Sequence, residues 1–349
     1  MRTGIVTQIM AKNYGGILQN WALQQVLKDL GHEPVTIDVG LKYSFSRYLL
    51  GCANVMFYKF LGKHRLFPQI PFRGKSIPKI TGEFIFQNIL TTKPMKEYSS
   101  QIIEKYNIEA LIVGSDQVWR PLYNSSIEDM FLRFASNCLL KSRISYAASF
   151  GVDTWEYSIE ETNRCADLAK TFNAISVREV SGVKMCEEYF GVHATHVLDP
   201  TMLLPIERYL KLCDHIEVEK EPFMAVYCLD SSTSFNEKVK EKATQLDLVP
   251  KYFSAHSKLS LSIPQWLAMF RDASFIMTDS FHGTVFSILF NKPFVVIKND
   301  ARGNARIESL LSTFSVNENF DNSIDWFDIN SKLLKLRGKS LYFLKDNLK

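Results

Sequence analysis

The 349-residue sequence has no Cys-x-x-Cys pair. Its six cysteines, Cys52, Cys138, Cys165, Cys186, Cys213 and Cys228, are scattered along the chain. That spacing gives neither a zinc site nor a disulfide frame, and buried reduced thiols in a cytoplasmic protein are expected. No uncharged apolar run approaches the length of a bilayer span. The opening MRTGIVTQIM lacks an apolar core followed by a small-residue cleavage site, so it reads as a strand and not as a secretion signal. Short internal repeats and low-complexity tracts are missing too. Gly15–Gly16 belongs to neither a GxGxxG nor a Walker loop, so it makes no case for a bound nucleotide. Acidic residues are absent from residues 41–82, where eight Lys and Arg fall: Lys42, Arg47, Lys59, Lys63, Arg65, Arg73, Lys75 and Lys79. With a formal net charge of +4, the rest of the chain is net −4, and this aromatic-rich basic block stands out.

What is present is ordinary for a soluble globular protein: 46% hydrophobic and 22% charged residues, in a chain long enough for two domains. Short apolar strands alternate with amphipathic helices. Strands are predicted at 4–9, 34–39, 110–113, 144–146, 174–177 and 195–198, with a helix at 16–30. After the proline- and charge-rich 217–222, strands follow at 223–229, 249–253, 275–278 and 294–297, with helices at 235–246, 263–271, 284–290 and 306–314. This alternation predicts right-handed βαβ units and two parallel-sheet, Rossmann-like α/β domains facing a cleft. The expected division is 1–205, carrying the insertion at 41–82 on the acceptor side, then 206–325, then a helical tail at 326–349.

Ligands in such folds sit at the carboxyl ends of strands. Six polar motifs fall there: KNYGGILQ (12–19), GSDQVW (114–119), SYAASFG (145–151), VRE (177–179), LDPT (198–201) and TDSFHG (278–283). Each has a structural reading. Gly15–Gly16 makes a tight turn, Asp116 caps the turn at Gln117, Arg178 pairs with Glu179 or Glu187, and His282 sits satisfied in a core. Asp199 before Pro200 reads first as an Asx turn. The functional reading is strongest at His282, in the first turn of a helix whose N–H groups and dipole favour an anion. Arg178, Arg302 and Arg306 add guanidinium forks that suit a small ligand with both phosphate and carboxylate. His193 and His196 lie close in sequence, but only Asp199 stands at ligand spacing, and its turn explains it better. No metal is expected.

In this order, the six motifs resemble the polysaccharide pyruvyl transferase family over about residues 1–315. The resemblance implies a GT-B-like fold. It implies phosphoenolpyruvate as donor, no further cofactor, a sugar of a surface polysaccharide or its lipid-linked precursor as acceptor, and a pyruvyl ketal as product. The family's histidine falls on His282 and its strand-end arginine on Arg178. A basic position about twenty residues after the histidine, commonly lysine, is Arg302 here, which keeps the anion contact but is a poor proton donor. The expected donor site is Arg178, Ser280, His282, Gly283, Arg302 and Arg306. Proton transfer is expected of His282, with Asp116 as base. The acceptor side is expected at Asn13, Tyr14, Gly15, Gly16, Gln19, Ser115, Asp116, Gln117 and Trp119. The expected location is the cytoplasm, with the basic block touching an anionic membrane, and no nucleic-acid partner. A nucleotide-sugar glycosyltransferase and a non-catalytic carbohydrate- or anion-binding module are the rival readings.

Overall fold

The computed structural model describes residues 1–40, 79–254, 261–299, 303–316 and 325–349. The basic block therefore lies almost wholly outside the described residues, as does Arg302. Six strands, β1 (Arg2–Val6), β2 (Glu33–Thr36), β3 (Ala110–Val113), β4 (Ser142–Ala148), β5 (Ala174–Val177) and β6 (Thr195–His196), form one sheet in the order β2-β1-β3-β4-β5-β6. Four more, β7 (Phe223–Tyr227), β8 (Val249–Phe253), β9 (Phe275–Thr278) and β10 (Phe294–Val296), form a second sheet in the order β10-β9-β7-β8. All paired strands run parallel. Central strands such as ALIV of β3, FMAVY of β7 and FIMT of β9 are buried at every residue, because helices cover both faces.

The α-helices among the described residues are α1 (Tyr14–Asp29), α2 (Lys79–Asn88), α3 (Gln101–Lys105), α4 (Ile159–Ala169), α5 (Val180–Met185), α6 (Ile206–Leu212), α7 (Thr233–Leu246), α8 (Ile263–Asp272), α9 (Phe281–Leu289), α10 (Ala305–Phe314) and α11 (Trp326–Asn347). Several boundaries differ from the sequence expectation for local reasons. β1 ends at Val6, not at residue 9, and Thr7 Oγ1 there donates to the Ser115 carbonyl at 3.1 Å. β7 stops at Tyr227 because the Asp279 carboxylate takes the N–H groups of Leu229 and Asp230, at 2.7 and 2.9 Å. α9 begins at Phe281, three residues early, because Ser280 is its N-cap and its Oγ accepts from the Gly283 N–H at 3.4 Å.

An aromatic seam joins the two sheets' helices. Trp21 of α1 meets Tyr209 of α6 at 5.5 Å between centroids, Tyr209 meets Phe286 of α9 at 5.2 Å, Phe286 meets Trp266 of α8 at 5.1 Å, and Trp266 stacks on Tyr14 at 5.7 Å. One continuous apolar core thus runs through both domains. The predicted tail helix is α11, about 33 Å long for its 22 residues. It returns to the first domain: Arg337 donates to the carbonyls of Met202 and Leu204, and Ser142 Oγ donates to the Asn347 carbonyl at 2.8 Å. Among the described residues no helix is long and apolar enough to cross a membrane.

Candidate active site

The carboxyl ends of the two sheets converge on a buried cluster of Asp116, Arg178, Asp199, His282 and Arg306. Each is under a tenth exposed. The loop after β3 supplies Asp116 in a left-handed backbone conformation (φ 70°). Arg178 directly follows the last residue of β5, Val177, and the loop after β6 supplies Asp199. From the second domain come His282, in the first turn of α9, and Arg306, near the start of α10.

Asp199 is the hub. Its Oδ1 makes the expected turn, accepting from the N–H and Oγ1 of Thr201 at 3.0 and 2.6 Å. Its Oδ2 serves the site: Arg178 Nη1 donates to it at 2.7 Å and Ser115 Oγ at 3.2 Å. His282 Nε2 stands 3.7 Å from the same oxygen, an ion-pair distance for a protonated ring but too long for a hydrogen bond. Asp116 is held by the Gln117 N–H at 3.0 Å, Asn13 Nδ2 at 3.2 Å and Arg178 Nη2 at 3.4 Å, with Arg306 Nη1 at 4.0 Å. Burial alone raises a carboxyl pKa, but the neighbouring His282 and Arg178 hold both carboxyls below the usual range. Burial, and then the like charge of Arg178, lower Arg306 to about 10, so it remains a cation at neutral pH. The Phe281 ring is the plate on which both guanidiniums rest, Arg178 at 4.3 Å and Arg306 at 5.8 Å from its centroid.

Among the described residues, Arg178 Nε and His282 Nε2 of this cluster are buried with no hydrogen-bond partner. Buried donors are normally satisfied, so these two atoms leave hydrogen-bonding capacity in the cluster that no described group uses.

The other residues expected at the site divide clearly. Gly15 belongs to it: a Cβ there would lie 2.0 Å from His282 Nδ1, so the α1 backbone seats the histidine ring across the domain boundary. Gly16 backs onto Asn13 and Asp116. Ser280 is occupied as the α9 cap, and the space beside Gly283 is filled by Thr278 Oγ1, 2.1 Å from where a Cβ would stand. Gly283 therefore serves helix–strand packing and offers no opening to a ligand. Trp119 does not face an acceptor. It is fully buried, donates Nε1–H to the Met130 carbonyl and stacks on Phe131 at 4.7 Å, because an indole that size fills the core of the first domain. Tyr14 spends its hydroxyl on the Leu261 carbonyl at 2.8 Å and its ring on the seam. Gln19 is fully buried, bonding Thr7, the Gly16 carbonyl and the Ser115 N–H. Gln117 Oε1 accepts from Arg120 Nη1 at 3.2 Å. Arg178 pairs with Asp199 and Asp116, not with Glu179 or Glu187. Glu179 instead gathers the SYAASFG loop, accepting from Ser149 Oγ and the N–H groups of Phe150 and Gly151. Among the described residues no group of three or more His, Cys, Asp or Glu gathers as for a metal ion.

Sequence reasoning placed Asp199 in its turn and missed its second oxygen. Phe281 was not among the residues expected at the site. The aromatic next to the histidine, one residue after a cap, was the available signal.

The family model described as polysaccharide pyruvyl transferase matches residues 13–301. No curated protein matches the sequence. Among solved structures, the UDP-GlcNAc 2-epimerase of Methanocaldococcus jannaschii aligns with a TM-score of 0.52 and 11% identity, covering 97% of this chain and 93% of its own. The UDP-GlcNAc 2-epimerase of Neisseria meningitidis bound to UDP-GlcNAc aligns with a TM-score of 0.50 and 11% identity, covering 98% and 93%. At that identity the likeness is one of fold, two parallel-sheet α/β domains of GT-B type.

Proposed function

The chain belongs to the polysaccharide pyruvyl transferase family, and from that premise we propose that it transfers pyruvate as a ketal from phosphoenolpyruvate to a sugar of a surface polysaccharide or its lipid-linked precursor. The observation that carries the donor assignment is the pair of orphaned atoms, Arg178 Nε and His282 Nε2, beside two guanidiniums stacked on one ring. A ligand with a phosphate and a carboxylate satisfies both and takes over charge now balanced by Asp116 and Asp199.

In the reaction, a proton reaches the methylene carbon of phosphoenolpyruvate and a sugar hydroxyl adds to the enol carbon, releasing its own proton. A second hydroxyl of the same sugar then bonds to that carbon and passes its proton to the departing phosphate as the carbon–oxygen bond breaks, leaving a cyclic ketal and inorganic phosphate. His282 is the proton carrier in this scheme. Asp116 is a poor base, because its ion pairs hold its pKa down, and it serves instead to hold Arg178 and Arg306. The arginines fix the donor and stabilise the departing phosphate.

The lipid-linked acceptor is supported by the basic block of 41–82. Each Lys or Arg near an anionic leaflet contributes about 1 kcal/mol, so half of the eight would give reversible docking without anchoring. Sedimentation with liposomes checks it: binding should need anionic lipid and fall when Lys59, Lys63 and Arg65 become glutamate. The transfer itself is tested by mass spectrometry of a purified lipid-linked saccharide incubated with phosphoenolpyruvate. The product should gain the mass of pyruvate less one water. A saccharide that gains no pyruvyl mass but gains a second sugar when UDP-GlcNAc replaces phosphoenolpyruvate would make the protein a glycosyltransferase.

A further inference from the structure

The residues expected to face the acceptor are largely buried, yet the first domain has a cavity of about 160 Å³ on another face of the same loop. Thr7 and Gln8 line it. Thr7 Oγ1 donates to the Ser115 carbonyl and Gln8 Nε2 to the Gln117 carbonyl, at 3.1 and 2.8 Å. Those two carbonyls flank Asp116. The cavity wall and the ion-pair cluster are thus built on one three-residue stretch of backbone.

The lining has a definite chemistry. Tyr98, half-buried, stacks on Phe134 at 5.0 Å, and burial beside Asp129 pushes its phenol up so that it stays an O–H donor. Tyr123 is exposed at the rim, with the Arg120 guanidinium 5.0 Å over its ring. Ser125 and Ser126 add exposed hydroxyls. The charges cancel: Lys96 and Arg133 against Glu97 and Asp129, with Arg133 paired to Asp129 at 2.8 Å. A lining with no net formal charge favours a phosphate or carboxylate less than the buried arginines do. Tyrosine rings with hydroxyls and amides around them suit the apolar faces and hydroxyl edges of a neutral sugar ring. The volume, below the roughly 300–1,000 Å³ of drug-sized sites, suits a single ring.

We propose that this cavity is a saccharide subsite that holds a neutral sugar unit of the acceptor, against the back of the loop that carries Asp116. The proposal rests on the transferase reading above and adds the acceptor's place and chemical class. Asn124 is a bracket and not a ligand, since its Nδ2 is spent on the carbonyls of Val118, Gln117 and Arg120.

The test uses the methyl glycosides of glucose, galactose, mannose and N-acetylglucosamine as probes, followed by saturation-transfer NMR on the full chain. Ser126→Trp fills the mouth from an exposed position whose side chain makes no capping bond. Tyr98→Phe removes one hydroxyl and keeps the ring. At least one glycoside should bind, about tenfold weaker in Ser126→Trp and several-fold weaker in Tyr98→Phe, while the melting shift caused by phosphoenolpyruvate stays as in the unaltered protein. Equal glycoside binding in Ser126→Trp, or no binding of any of the four to the unaltered protein, overturns the subsite. A missing phosphoenolpyruvate shift in the unaltered protein counts against the donor assignment alone.

Discussion

Asp199 joins a turn to a charge cluster through its two oxygens, and substitution separates the roles. Asparagine still makes an Asx turn, so Asp199→Asn should keep the bonds to Thr201 and lose the charge that faces Arg178. Leaving a buried guanidinium short of its partner costs on the order of 3–5 kcal/mol. A urea titration should show that loss, and a stability within about 0.5 kcal/mol of the parent would remove Asp199 from the hub. The pH dependence has a fixed sign. Asp199 and Asp116 have folded-state pKa values below their unfolded ones, so their contribution is complete above about pH 4 and fades only as pH falls through the lower folded values. The acid limb of the parent's stability curve should therefore be steeper than that of Asp199→Asn. Gly15→Ala tests the seat of His282: the new methyl meets the ring, and turnover should fall at least about tenfold with a stability cost of about 1–3 kcal/mol. Full turnover would mean the ring has another place to go. Sequence alone singled out His282, Arg178 and Arg306, which the structure brings into one cluster, because a charge at a strand end or a histidine beside a helix cap has few structural uses. It misjudged Trp119 and Tyr14, because an aromatic next to a polar motif looks the same whether it faces the ligand or the core.

Among the elements, α9 carries the most. Ser280 caps it, Phe281 bears the arginines, His282 reaches the cluster and Phe286 enters the seam. Ser280→Ala should cost about 1 kcal/mol, the usual loss of an N-cap, and should weaken phosphoenolpyruvate binding by frayed positioning of the first turn. Calorimetry with and without the ligand measures both. An unchanged ligand affinity would show that the cap steadies only the helix. The strands were readable because each is a short buried run bounded by turn residues, as in β3 and β9, whose limits the sequence placed exactly where the structure has them. The ends of β1 and β7 were not readable. They are set by Thr7 reaching Ser115 and by Asp279 reaching Leu229 and Asp230, contacts between residues 49 or more apart in sequence.

At the scale of the whole molecule, two parallel sheets present their carboxyl ends to one another, and an aromatic seam with a returning C-terminal helix holds them there. The alternating pattern foretold the two sheets. The seam escaped it, because the apolar faces of α1, α8 and α9 do not say which helix they meet. The arrangement places a closed set of arginines and His282 between domains, and the account stands on their ligand being phosphoenolpyruvate. The most direct measurement is the melting temperature of the full chain with phosphoenolpyruvate, UDP-GlcNAc and inorganic phosphate, each in parent and His282→Ala protein. A ligand at a hundred times its Kd stabilises by about 2.7 kcal/mol. The account predicts a clear rise with phosphoenolpyruvate, a weaker one with phosphate, none with UDP-GlcNAc, and a reduced rise in His282→Ala. A rise with UDP-GlcNAc and none with phosphoenolpyruvate would contradict it.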